Sequence, residues 1–214
     1  IVGLVGLAVA VSVFLAVYSW SRVSHPVSKY YGLLMTADSL WAAGYLCMIL
    51  GGGGYLTEVG LTVKGLFSAV AGVAWLLFVS EYTGDSEWIP TWVWWVLTAE
   101  AVAFGAVIAI NPGGLVISEI TVDQFGLFAF PTESPGVITE LQLLLSVGLV
   151  VVSLVLLGRF FAETESVYRY QALIILVIGT IVATSSVLFV SESRIVRFVD
   201  PTPILFNLQA LGVS

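Results

Sequence analysis

The sequence predicts an all-α fold: a polytopic membrane helical bundle of seven transmembrane helices. The seventh is incomplete in this chain, and a small extracellular β-hairpin is expected between the fourth and fifth. Three observations predict it. Of 214 residues, 59% are hydrophobic and only 10% charged, whereas a soluble domain carries about 25% charged residues. The apolar residues fall in runs close to the ~20 residues a helix needs to cross a bilayer. Short polar, Gly- or Pro-bearing stretches separate the runs, and lipid offers no partner to an unpaired backbone group, so each run must be helical. Six or seven spans use the whole length, which leaves a single membrane domain, 1–214.

The first helix is expected over about 1–20. The chain opens directly in an apolar run, without the basic start and small-residue cleavage site of a secretory signal, so this run is a span. Gly6 and Ala10 form a small-xxx-small pair, and Trp20 is an interfacial anchor. A polar loop with Arg22, His25, Pro26 and Lys29 follows. The second helix, about 30–50, ends at Gly51–Gly54, a flexible run that resists helix. The third, about 61–82, carries a Ser68/Gly72 ridge and leaves the membrane through Trp75–Asp85, where apolar residues give way to Glu81, Tyr82, Thr83 and Asp85.

Pro90 suits the first turn of the fourth helix, about 91–110. Trp92, Trp94 and Trp95 crowd its start as an aromatic belt, and Ala101, Gly105 and Ala109 make a small-residue stripe. Asn111-Pro112-Gly113-Gly114 stops it. In the long connection 111–137, the β-prone runs Leu115–Ile117 and Ile120–Val122, with three nearby phenylalanines, suggest a hairpin lying over the bundle. The fifth and sixth helices are expected over about 137–161 and 168–190. A seventh starts at about 202–214, opened by Asp200-Pro-Thr-Pro203.

Net charge is −7, and such acidity excludes nucleic acid as a partner, since that wants a basic surface. The lone Cys47 can form no internal disulfide. If the N-terminus is outside, Arg22, Lys29, Arg159 and Arg169 face the cytoplasm and Lys64, Arg194 and Arg197 the other side, which leans toward that orientation by the positive-inside rule.

Asp38 and Glu100 stand out within spans. A charge at mid-bilayer costs at least ~2.5–3.5 kcal/mol, so intramembrane acids face the bundle interior and mark functional sites by default. With the N-terminus outside, both lie roughly 12–15 Å from the cytoplasmic end of their helices at 1.5 Å per residue, a depth at which they could share a level. They are candidates for sensing a ligand or a proton; the plain alternative is a neutral carboxyl bonded within the bundle. Trp41 and Tyr45 share the face of Asp38 by spacing. Trp41 and Trp75 lie far enough from the interfaces either to line an interior cavity or simply to pack. His25 has no second His or Cys with which to complete a metal site. Gly51–Gly54 lacks the Lys-Ser/Thr ending of a phosphate loop. No nucleophile–base–acid set, metal cluster or nucleotide motif is present, so neither enzyme activity nor a cofactor is expected. Lys29 and Lys64 both lie near predicted helix ends, which argues against a retinal Schiff base.

Four short motifs then occur in order: Trp41; Trp75-Leu-Leu-Phe-Val-Ser-Glu-Tyr-Thr-Gly84; Arg169-Tyr-Gln171; and Asp200-Pro-Thr-Pro203. Together they resemble the seven-helix N-terminal sensor region of archaeal and bacterial membrane histidine kinases. The resemblance covers essentially the whole chain, and its acidic, Val- and Gly-rich character is most similar to haloarchaeal members. It implies a multi-pass sensor domain of the cell membrane, N-terminus outside, receiving a small-molecule or lipid signal. The last helix would lead into a cytoplasmic PAS or histidine kinase module of a two-component system. Such sensors as a class are usually dimers. On this reading Glu81, Tyr82, Asp200, Pro201 and Pro203 are coupling candidates. The loop between the third and fourth helices departs from the family pattern, with acids in place of Arg/Lys. Two alternatives stay open: a transporter or channel, for which no internal repeat or broken helix is found, and a structural subunit of a membrane complex, which the small-residue stripes would equally allow.

Overall fold

The computed structural model describes residues 2–22, 26–125, 128–164 and 167–190. The helices are α1 (Val2–Trp20), α2 (Pro26–Leu50), α3 (Tyr55–Thr83), α4 (Thr91–Ile110), α5 (Val137–Glu163) and α6 (Val167–Val190). Strands β1 (Ile117–Phe125) and β2 (Phe128–Pro135) pair antiparallel between α4 and α5. Helices α1 to α5 are long and apolar enough to cross a membrane, and α6 carries the apolar stretch Arg169–Ile181. The segment 202–214, expected to start a seventh helix, lies outside the described residues.

The outward faces are as apolar as the inward ones. On α1, Leu4, Leu7, Phe14 and Val17 are all exposed, a distribution that water would penalise and lipid does not. At 1.5 Å per residue, α1 and α4 span about 28–30 Å, the thickness of the hydrocarbon core. Helix α3, with 29 residues, reaches about 44 Å, so it tilts or projects past the core. Trp92 and Trp95 are exposed at the start of α4, the disposition expected of an interfacial belt.

Helix α3 is the hub. It packs against α2, α4 and α5 and contributes to every apolar cluster. Trp75, Phe78 and Val79 meet Leu15, Leu34, Met35, Leu157 and Ile175 at one end of the bundle. Leu61 meets Val5, Tyr45 and Met48 at the other. Ala69 packs with Ala101, Phe104 and Ile108 of α4, and Val73 and Leu76 with Leu97 and Leu149.

Two helix starts differ from the sequence expectation. Helix α2 begins at Pro26, not near residue 30, because proline lacks only an N–H that has no intrahelical partner at a first turn anyway. Helix α3 begins at Tyr55, not near residue 61. The polar Thr57 and Glu58 and the flexible Gly60 read as loop, but the Thr57 hydroxyl accepts from the Gly53 N–H at 3.0 Å and donates to the Met48 carbonyl at 3.3 Å. That stitches a four-glycine turn directly onto the helix. The earlier start makes Lys64 the tenth residue of α3, further from the helix end than its sequence position suggested; its ammonium lies 5.8 Å from the Tyr45 ring centre.

Gly60 and Gly44 explain the closeness of α2 and α3. A methyl added at Gly44 would lie 2.6 Å from the Lys64 amide nitrogen, and one at Gly60 would lie 2.6 Å from the Gly44 carbonyl oxygen. Only glycine permits such backbone approach. By contrast, a methyl at Gly6 would meet nothing within 4 Å, and Ala10 is exposed, so the expected Gly6/Ala10 contact is not used among the described residues. On α4, Ala101 and Gly105 are buried but Ala109 faces outward.

Asn111 turns the chain out of α4 with φ 41°. Its side-chain oxygen accepts from the Val116 and Ile117 N–H groups, and its Nδ2 donates to the Ile117 carbonyl. The Thr139 hydroxyl donates to the Val116 carbonyl at 2.6 Å, which ties this corner to the start of α5. The two β-prone runs do not pair with each other: Ile120–Val122 lies within β1, and β2, which carries Pro131 and Pro135, is the return strand. A two-stranded ribbon has only edges, so it tolerates the missing N–H groups.

Candidate functional site

Asp38 lies at the middle of α2 with 0% of its surface exposed. Its Oδ2 is 2.8 Å from the hydroxyl of Ser12 on α1, and that same hydroxyl is 3.0 Å from the Ala8 carbonyl. Among the described residues Oδ1 has no hydrogen-bond partner. A serine hydroxyl carries one proton and two lone pairs. With Asp38 ionised, Ser12 donates to Oδ2. With a proton on Oδ2, Asp38 donates to Ser12, and Ser12 donates to the Ala8 carbonyl. One set of heavy-atom positions thus serves both protonation states.

Trp41 is buried one turn beyond Asp38, on the face that the spacing predicts. Trp75 is buried in α3 with its ring centre 5.8 Å from that of Phe78; it packs among Leu34 and Met35, which precede Asp38 in α2. Glu100 is mid-helix too, but at a different interface. It lines a cleft of about 350 Å³ between α4 and α5 with Phe104, Val107, Ile138 and Gln142. The Gln142 side chain lies beside the Glu100 carboxyl group, while Oε2 of Glu100 is buried without a partner among the described residues. Helix α3, packed on both α2 and α4, connects the two acids.

At the end of α3, Gly84 adopts φ 80° and its N–H bonds the Glu81 carbonyl at 3.3 Å. The half-buried Tyr82 ring stands 5.9 Å from Phe78 and 5.5 Å from Phe160 of α5, so it joins the exits of α3 and α5. Asp200, Pro201 and Pro203 lie outside the described residues.

The family model described as the N-terminal 7TM region of histidine kinase matches residues 4–214. The chain belongs to this family. Comparison with curated proteins gives no match. The histidine kinase assignment places the helices in a membrane sensor region and implies a cytoplasmic kinase module.

In this kinase sensor region, sequence reasoning missed Ser12, Gln142 and Phe160. A hydroxyl at the centre of an otherwise apolar α1 was a signal for the first, and an amide inside an apolar α5 for the second. Phe160 carried none, because an aromatic residue near a span end reads equally well as an interfacial anchor.

Proposed function

We propose that this region receives a signal within the bilayer and passes it to a cytoplasmic kinase or PAS-type module. It acts as one seven-helix domain over 1–214, N-terminus outside, with segment 202–214 as the route out and Asp200, Pro201 and Pro203 at its start. The receiving residues are Asp38 with Trp41 and Trp75 at the α1–α2–α3 interface, and Glu100 at the α4–α5 cleft. A small or membrane-borne ligand, a proton or a change in the bilayer favours one packing of α3 over another, and an effector shifts the equilibrium only by its difference in affinity for the two. Glu81 and Tyr82 relay the shift at the α3 exit, β1 and β2 cover the opposite end, and two copies of the sensor form the signalling unit.

The observation that carries the reading is Asp38: a buried acid held by one hydroxyl, beside the helix that joins every cluster. Intramembrane acids are costly and so mark functional positions. The test is autophosphorylation of the intact kinase in liposomes. Asp38→Asn and Glu100→Gln are expected to change the response to the membrane environment while leaving basal phosphorylation measurable. A double variant that responds like the wild type would overturn the reading.

A further inference from the structure

The α4–α5 cleft has a polar floor and apolar walls. Phe104, Val107, Ile138 and Leu141 form the walls, and Glu100 and Gln142 supply the polar atoms. Leu141 is 61% exposed, so the cleft opens on an outward apolar face, the kind that lipid covers. A carboxyl oxygen without a partner does not belong beside an apolar wall unless something completes it, because an unsatisfied buried acceptor costs its full desolvation. Gln142 lies beside the Glu100 carboxyl group, yet Oε2 of Glu100 is buried and unpartnered among the described residues. What the cleft lacks is a hydrogen-bond donor attached to an apolar body.

We propose that the α4–α5 cleft binds a small amphiphile from the membrane phase, with an aliphatic body against the apolar walls and a hydrogen-bond-donating head, hydroxyl or primary ammonium, on Oε2 of Glu100. A volume of about 350 Å³ lies at the small end of ligand pockets. It holds roughly a dozen non-hydrogen atoms if each takes the ~30 Å³ that a water molecule occupies in the liquid. The walls select against polar solutes, and the acceptor selects against pure hydrocarbons. This names the ligand class for the Glu100 site and rests on the receptor reading for its biological role, though binding is measurable without it.

The experiment uses the full chain in phospholipid nanodiscs with a diazirine-bearing analogue of 1-decanol, followed by peptide mapping. Labelling is expected to concentrate on residues 103–107 of α4 and 138–145 of α5. Excess 1-decanol and decylamine should compete, and decyl methyl ether, which has no donor, should not. Glu100→Leu should weaken labelling about tenfold or more, as loss of a hydrogen bond to a carboxyl group predicts. Ala103→Phe, which narrows the cleft and leaves Glu100 in place, should also abolish it. Labelling spread evenly over all outward faces, equal competition by the ether, or full labelling of Glu100→Leu would each overturn the proposal. Specific labelling without any effect of 1-decanol on autophosphorylation would leave the binding site standing and defeat its sensory role.

Discussion

The hydroxyl of Ser12 stands 2.8 Å from Oδ2 of Asp38, near the middle of both α1 and α2. This contact fastens a buried acid to the neighbouring helix, and both of its partners are fully buried. Ser12→Ala removes a donor from a buried carboxyl group and is expected to cost about 1–3 kcal/mol of stability. Asp38→Asn keeps the shape and cannot ionise. It is expected to fold, with a smaller loss in detergent thermal unfolding than Ser12→Ala, and to hold kinase output at one level. If Asp38→Asn responded normally and Ser12→Ala were as stable as wild type, the pair would be mere packing.

The α2–α3 crossing depends on two glycines. Gly44→Ala and Gly60→Ala each place a methyl against backbone atoms that cannot rotate aside. Overpacking of this kind costs about 1–3 kcal/mol, and the double variant is expected to fall short of additivity because the two sites share one contact. Gly6→Ala, whose methyl meets nothing within 4 Å, serves as the neutral control. Thermal unfolding followed by tryptophan fluorescence reads all of them.

Tyr82 joins α3 to α5 through Phe160 at 5.5 Å. Tyr82→Phe keeps the ring contact, and Tyr82→Ala removes it. The alanine variant is expected to lower stability by up to about 1.5 kcal/mol beyond the area lost, as for other aromatic pairs, and to uncouple signal from autophosphorylation, while Tyr82→Phe retains both. Equal signalling by the two variants would remove Tyr82 from the relay.

Asn111 sets the corner between α4 and the β-ribbon. Asn111→Gly preserves the positive φ but loses the side-chain bonds to Val116 and Ile117; Asn111→Ala loses both. Alanine is therefore expected to be the more damaging substitution, by about 1 kcal/mol. Limited proteolysis of the 111–136 connection should rank wild type as most resistant, then glycine, then alanine.

Much of the fold was legible because span length and polarity are local properties. Val2–Trp20 and Thr91–Ile110 match the sequence boundaries almost to the residue, since each is a mainly apolar run with a polar stop. The start of α3 was not legible: Thr57, Glu58 and Gly60 have loop character on their own, and they became helix only through the bond from Thr57 to Met48 and the crossing at Gly44. The return strand β2 was hidden by its prolines, which a central strand would reject and a two-stranded ribbon accepts.

By itself the sequence determined that this is a membrane-crossing helical chain, roughly where α1 to α6 run, and that Asp38 and Glu100 are unusual within them; its ordered motifs pointed to the kinase sensor family. Only the tertiary structure decided which helices meet. It paired Asp38 with Ser12 and Glu100 with Gln142, separated the two acids onto different interfaces, and made α3 the shared partner. The physical reason is the solvent. In water, hydrophobic periodicity tells which face of a helix is buried. In lipid the outward face is as apolar as the inward one, so the choice of neighbours rests on close packing and a few hydrogen bonds, and these exist only once the helices have met.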